Sequence, residues 1–309
     1  MAAFRLRPSG IAAAAVILGL CALGAPRQAE AAYGRVNLSV NGVKRTATLV
    51  EFERLKKRRR PVIFVLRSGG NSGAALRARR NLGLDAFARQ TGAVVIYPDA
   101  LHGGWGRAPA GQPAPDDAAF VRALANRLVQ QGSVNPRRVY IAGVSSGGIR
   151  AMQIACANSD LFAGVGAFMA TLPADAAATC APAKPISFML VNGTADPLIP
   201  YEGGVANLPE GKLDLASSEA TAMVFAKAAQ CSDKRSQPMR DRDTKDSSRI
   251  TVERWAGCKA PVSLVRVEGG GHTIPGRRSA TMPADRAGVQ NNDTDAARMM
   301  WDFLLRRSP

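Results

Sequence analysis

The sequence predicts an α/β protein: a mostly parallel central sheet, helices on both of its faces, and a hairpin at the N-terminal end. Three observations carry this. Short, continuously apolar runs recur at 61–66 (PVIFVL), 93–97 (AVVIY), 139–144, 186–191 and 262–267. Such runs suit strands buried on both faces, as parallel strands are. Amphipathic segments alternate with them, which is how a sheet acquires helical crossovers on either side. The third observation is the pair of alternating segments 36–40 and 43–50 around Asn41-Gly42. Asn-Gly suits a two-residue hairpin turn because both of its residues need positive φ.

The helices follow in order. Residues 74–90 have helical spacing, with Leu76, Leu84 and Phe87 as apolar markers. Asp116-Asp117 stand ahead of Phe120, Val121, Leu124, Leu128 and Val129. Acidic residues at the start and an apolar stripe of period near 3.6 mark a helix. A further helix runs through Met152 and Ile154, directly after Ser145-Ser146-Gly147-Gly148, and the chain ends in one carrying Met299, Met300, Trp301, Phe303 and Leu304. Residues 232–248 are polar and read as a surface excursion. The basic run Lys56-Lys57-Arg58-Arg59-Arg60 reads as a loop.

The 309 residues, 46% apolar and 21% charged, suffice for a sizeable core and give no case for global disorder. Residues 1–31 read as a secretory signal peptide. Arg5 and Arg7 form the basic region, 11–23 the short apolar region, and Ala29-Glu30-Ala31 the cleavage site. Residues 32–309 are then expected to be one catalytic domain, secreted or periplasmic, with no stable membrane insertion once the leader is removed. The leader carries Arg5, Arg7, Arg27 and Glu30, so its loss takes the formal charge from +17 to about +15. That charge attracts anionic polymers. No nucleic-acid-binding module accompanies it, so no nucleic-acid partner is expected.

Of the five cysteines, Cys21 leaves with the leader. Cys156, Cys180, Cys231 and Cys258 remain, an even number in an exported chain, with three possible connectivities. Pairing neighbours gives Cys156–Cys180 and Cys231–Cys258, each closing a loop worth about 3 kcal/mol. Without Cys-x-x-Cys and with only two histidines, a metal site is not expected.

Chemistry concentrates at strand ends, where ligands bind on such sheets. Gly143-Val144-Ser145-Ser146-Gly147 matches Gly-x-Ser-x-Gly between a strand and a helix. There a sharp turn exposes the Ser hydroxyl, and small neighbours let it stand clear. A hydroxyl nucleophile needs a base. Of His102 and His272, the latter lies in Glu268-Gly269-Gly270-Gly271-His272 after the 262–267 strand. The imidazole needs a carboxylate to fix its tautomer, and Asp196 follows the 186–191 strand in Asn192-Gly193-Thr194-Ala195-Asp196-Pro197. The order Ser145, Asp196, His272 is that of α/β-hydrolases.

These three segments, extended through Gly148, through Leu198-Ile199-Pro200-Tyr201 and through Thr273-Ile274-Pro275-Gly276, together resemble one family. It is the polyhydroxybutyrate depolymerase-like family of carbohydrate esterase family 1, which includes feruloyl and acetylxylan esterases. Tyr97-Pro98-Asp99, Asp116-Asp117 and the Cys231, Cys258 pair are similar to it too. The resemblance implies an α/β-hydrolase fold and serine esterase activity on hydroxyalkanoate oligomers or on feruloyl or acetyl sugar esters. It implies no metal or organic cofactor, and a small ester or soluble oligomer as the substrate. It also implies an acyl or sugar pocket lined by Trp105.

In one place the chain departs from the family. Arg67-Ser68-Gly69-Gly70 stands where the family carries His-Gly-Gly or a similar turn. Gly69 and Ser146 are the expected oxyanion donors, and because backbone amides do the donating, the turn is expected to work. Arg67 reads either as a surface charge or as the partner of an acidic neighbour. The competing reading is a catalytically weak or silent exported protein that binds anionic polymers through its basic surface.

Overall fold

The computed structural model describes residues 31–52, 59–68, 82–112, 114, 116–208, 211–277 and 282–306. The strands in chain order are β1 (Ala31–Val40), β2 (Val43–Phe52), β3 (Arg60–Leu66), β4 (Val94–Pro98), β5 (Val134–Val144), β6 (Gly164–Phe168), β7 (Ser187–Gly193), β8 (Gly204–Leu208), β9 (Gly211–Leu215), β10 (Lys234–Pro238), β11 (Arg249–Trp255) and β12 (Val262–Glu268). The helices are α1 (Leu84–Thr91), α2 (Asp117–Gln130), α3 (Ser146–Ala157), α4 (Ala174–Thr179), α5 (Ser218–Ala228), α6 (Ala284–Ala287) and α7 (Ala296–Arg306).

Ten strands form one sheet in the order β1-β2-β4-β3-β5-β6-β7-β12-β11-β10. The centre, from β4 to β12, is parallel. Antiparallel hairpins close both edges. Strand β3 shows why the centre forms: all seven of its residues are buried. Val62, Phe64 and Leu66 enter the core on one face, with Phe120, Leu124, Met152 and Phe225 from α2, α3 and α5. Ile63 and Val65 enter the other, with Phe87, Met300 and Trp301 from α1 and α7. Side chains alternate across a strand, so a run apolar at every position can be satisfied only between two helical layers.

The N-terminal hairpin turns at Asn41-Gly42, with φ of 50° and 79°. The disulfides are Cys156–Cys180 and Cys231–Cys258. The first joins the end of α3 to the residue after α4, and the second joins Cys231, three residues past the end of α5, to the approach of β12. Among the described residues no helix is long and apolar enough to cross a membrane.

Several expectations change. Residues 74–81 lie outside the described residues, and the helix expected there is described as α1, Leu84–Thr91. The polar 232–248 excursion contains an edge strand, β10, hydrogen-bonded to β11. Arg60, placed in a basic loop, instead opens β3, buried and paired with Glu51 at 2.8 Å. Its aliphatic stem packs while its head meets a carboxylate, which is how a sheet accepts an arginine.

Strand β6 has no counterpart in the sequence reading. Its sequence GVGAF lacks the apolar weight of the other strands. The reason is packing: a Cβ on Gly166 would sit 2.3 Å from Met300 Sδ, and one on Gly164 would sit 2.9 Å from Leu304 Cδ2. Helix α7 lies so close to the sheet that a side chain at either position would have to displace Met300 or Leu304. Gly166→Val should therefore lower stability by about 1–3 kcal/mol through overpacking, with part of the loss recovered by Met300→Ala. Urea unfolding midpoints test this, and an unchanged midpoint would mean that α7 can retreat freely.

Candidate active site

Residue Ser145 directly follows β5 and precedes α3, with φ 54° and ψ −129°. A non-glycine residue at positive φ is strained, by about 1–3 kcal/mol. The surroundings hold it there. Its N–H donates to Phe168 O at 2.9 Å, and its carbonyl accepts from Gly148 and Ile149 N–H at 2.7 and 3.0 Å. The glycines on either side are required by space. A Cβ on Gly143 would lie 2.2 Å from Gly147 O, and one on Gly147 would lie 2.4 Å from Leu66 O. The side chain makes no capping bond to its own helix. The hydroxyl thus stands on a forced turn at the carboxyl rim of the sheet, at the N-terminus of a helix whose first N–H groups have no intrahelical acceptors.

Asp196 lies three residues beyond β7 and is almost wholly buried. Its Oδ1 accepts from Leu198 N–H at 2.8 Å and Ile199 N–H at 2.9 Å, and its Oδ2 meets His272 Nδ1 at 2.8 Å. One oxygen of Asp196 thus shapes its own loop, and the other meets the imidazole. With Nδ1–H given to the carboxylate, Nε2 of His272 is left as the basic nitrogen.

The His272 loop is fastened by main chain. Ala195 N–H donates to Gly270 O, Gly271 N–H to Val289 O and His272 N–H to Ala287 O, at 2.9, 2.9 and 2.6 Å. The strands that carry Asp196 and His272 are neighbours: β7 pairs with β12 in register Asn192↔Arg266. Asn192 binds the loop after β6 to the same rim. Its amide nitrogen donates to Ala170 O and Ser218 Oγ, and its oxygen accepts from Ala170 N–H. The motif around Asp196 contained this residue, but nothing in the pattern gave it a role.

The structure thus joins His272 to Asp196 by a direct hydrogen bond and holds Ser145 at the end of β5 on the same carboxyl rim. Gly69 lies outside the described residues. Ser146 is the first residue of α3, its hydroxyl 3.5 Å from that of Ser68. Trp105 is half-buried, and its indole N–H donates to Arg67 O at 2.7 Å. Arg67 is not a surface charge: its side chain is buried. Burial lowers the guanidinium's pKa, while the charges of Asp99 and Tyr97 raise it. Of the two histidines, His102 is exposed on a turn with φ 50°.

Sequence reasoning also missed a carboxylate. Asp116 caps α2, accepting from Ala119 N–H at 2.8 Å. Asp117, next to it, is fully buried and binds Arg45, Arg150 and the N–H of Gly106. Two adjacent acids signal a helix start, but they do not say which one turns inward.

The fold and the hydrogen-bonded His–Asp pair define an α/β-hydrolase. Comparison with known proteins narrows this. The chain is 31% identical over 259 residues to "Putative esterase NocK" of Nocardia uniformis subsp. tsuyamanensis, spanning 80% of this chain and 74% of that protein. It is 27% identical over 189 residues to feruloyl esterase B of Piromyces equi, spanning 59% of this chain but only 34% of the other. The acetyl xylan esterase of Aspergillus awamori superposes with TM-score 0.54 at 11% identity, over 77% of this chain and 94% of that one, which speaks for the fold alone. No protein-family profile matches the chain. The chain belongs to the feruloyl esterase-like family of α/β-hydrolases, a family of carboxylic ester hydrolases.

Asp293 is buried and accepts from Asn291 Nδ2 and from the N–H groups of Arg242 and Asp243. Burial pushes its carboxyl up, but these donors outweigh it and hold it below the usual carboxylate range. A depressed native pKa stabilises the fold above the unfolded value, near 3.9, and that stability is lost as pH falls through the native value. Wild type should melt above Asp293→Asn at neutral pH, and the gap should close as pH falls below about 4. Thermal melts at stepped pH check this; a gap persisting to the lowest pH would mean that the charge is not its source.

Proposed function

We propose that this protein is an exported serine esterase that hydrolyses carboxylic esters through an acyl-enzyme on Ser145, with His272 as base and Asp196 as its orienting carboxylate. The observation that carries the reading is the backbone of Ser145: a strained, positive-φ serine at a strand-to-helix turn, held by glycines on both sides. Strain of this kind is retained where it presents a reacting group. The hydrogen bond between His272 and Asp196 supports it from the other side of the rim.

In this mechanism Ser145 Oγ attacks the ester carbonyl as its proton passes to His272 Nε2. Asp196 keeps the other ring nitrogen protonated and stabilises the imidazolium. The oxyanion is received by the Ser146 N–H at the start of α3 and by Gly69. The imidazolium gives its proton to the departing alcohol, and water then cleaves the acyl-enzyme by the same route in reverse. No metal or organic cofactor takes part in this scheme.

Similarity to the feruloyl esterase named above favours feruloyl sugar esters as substrates, with acetyl sugar esters and hydroxyalkanoate oligomers as the other classes. Trp105 would wall the acyl or sugar pocket. Export is supported by the leader-like N-terminus and the two disulfides. The basic surface would draw the enzyme to anionic polymers that carry such esters.

The test is turnover of p-nitrophenyl acetate and methyl ferulate by the purified mature protein, with fluorophosphonate labelling alongside. Ser145→Ala should abolish labelling and lower kcat by about 10⁴-fold or more, and Asp196→Asn by up to about 10⁴-fold. Wild-type rates in Ser145→Ala would refute the assignment.

A further inference from the structure

We infer that Asp117 and Trp105 are positioning residues which fasten the strand-end turn and the nucleophile helix to one buried carboxylate. This inference rests on the serine-esterase reading and deepens it.

The carboxylate of Asp117 is fully buried and uses both oxygens. Oδ1 accepts from Arg45 Nη2 at 2.8 Å. Oδ2 accepts from Arg150 Nε at 3.0 Å and from Gly106 N–H at 2.8 Å. Arg45 is buried as well, its guanidinium 4.3 Å above the ring of Phe120. Two cations and an amide converge on one anion, and the three donors come from three separate parts of the rim.

Each donor leads somewhere. Arg150 belongs to α3, one turn beyond Ser146, so its bond holds the nucleophile helix. Gly106 follows Trp105, whose indole N–H holds the carbonyl of Arg67 at 2.7 Å. That carbonyl lies one residue past the end of β3. Leu66 O and Arg67 C approach so near to Gly147 that a Cβ there would lie 2.4 and 2.6 Å from them. Asp117 therefore reaches both sides of the junction beside Ser145: the helix through Arg150, and the strand end through Gly106 and Trp105.

A cap would explain none of this, since Asp116 already caps α2. Nor is a buried ion pair an efficient stabiliser, because desolvation offsets most of the attraction. What it supplies is fixed geometry, and rate is sensitive to that: a misplacement of about 1 Å in a site can cost about 10²-fold.

The decisive variant is Trp105→Phe, which keeps an aromatic wall and removes only the N–H donor. With p-nitrophenyl acetate, whose acyl group is too small to fill a pocket, kcat should fall about ten- to hundredfold while KM stays within about twofold. Fluorophosphonate labelling should slow in parallel, with a melting temperature near that of wild type. Asp117→Asn should show the same split. Combined with Trp105→Phe it should lose little more than the worse single variant, because residues in one relay are not additive. Should Asp117→Asn fail to fold, Trp105→Phe alone still decides. Unchanged kcat in Trp105→Phe, with or without a raised KM, while the wild type labels normally, would overturn the relay and leave the serine reading standing. A wild type that does not label would overturn both.

Discussion

The tight approach of backbone to backbone at the end of β3 is the constraint on which the rest of this rim depends. Strand β5 has to turn into α3 within a single residue, and it can do so only if the first turn of the helix drives into the carbonyl of Leu66. Nothing larger than glycine fits at 147 or 143. With those two positions fixed, Ser145 has nowhere to go but positive φ. The sheet on either side is buried in two apolar layers, which makes the turn rigid enough to hold the strain. A flexible scaffold would relax it.

The same logic runs across the rim. Gly193 and Gly271 sit where a Cβ would strike the carbonyls of Gly270 and Ala287 at 2.1 Å each. The loops after β7 and β12 therefore lock together through main chain. One side-chain bond, Asp196 to His272, is added to a frame that main-chain bonds have already built. The carboxylate is tied by two amides of its own loop before it meets the imidazole. It arrives oriented, so little ordering is left for the histidine to accomplish.

Much of this could be read from the chain, for a definite reason. Steric demands at turns are local, and they leave glycines, a Pro after Asp196, and an Asn-Gly pair in fixed places. Strands β3, β4, β5, β7 and β12 declared themselves because burial on both faces forces an unbroken apolar run. Strand β6 did not, because the close approach of α7 replaces its side chains with glycine, and the partner that explains Gly166 lies 134 residues later at Met300. Strands β8, β9 and β10 were missed because they are mostly exposed, so no apolar run marks them; β11 is mostly buried, but Arg249, Thr251, Glu253 and Arg254 interrupt its apolar pattern. Asp117 was visible as an acid but not as a buried one. Its depth is set by Arg45 and Arg150, which lie 72 residues before and 33 after it, and no local pattern encodes their meeting.

The departure at Arg67-Ser68 is where sequence and structure bear on each other most usefully. As a string of residues, an arginine in place of the family's histidine looks like a threat to the turn. In three dimensions the side chain of Arg67 turns inward, into the neighbourhood of Asp99 and Tyr97, at a cost that burial exacts and the nearby negative charge partly offsets. The turn is left to be shaped by main chain: the carbonyl of Arg67 accepts the indole N–H of Trp105, and the peptide beside it presses on Gly147. A site whose donors are backbone amides is controlled by where the backbone is held, and only secondarily by which side chains decorate it. On that view the residue to compare across such turns is not the one at 67 but the donor that holds its carbonyl, and here that donor is Trp105.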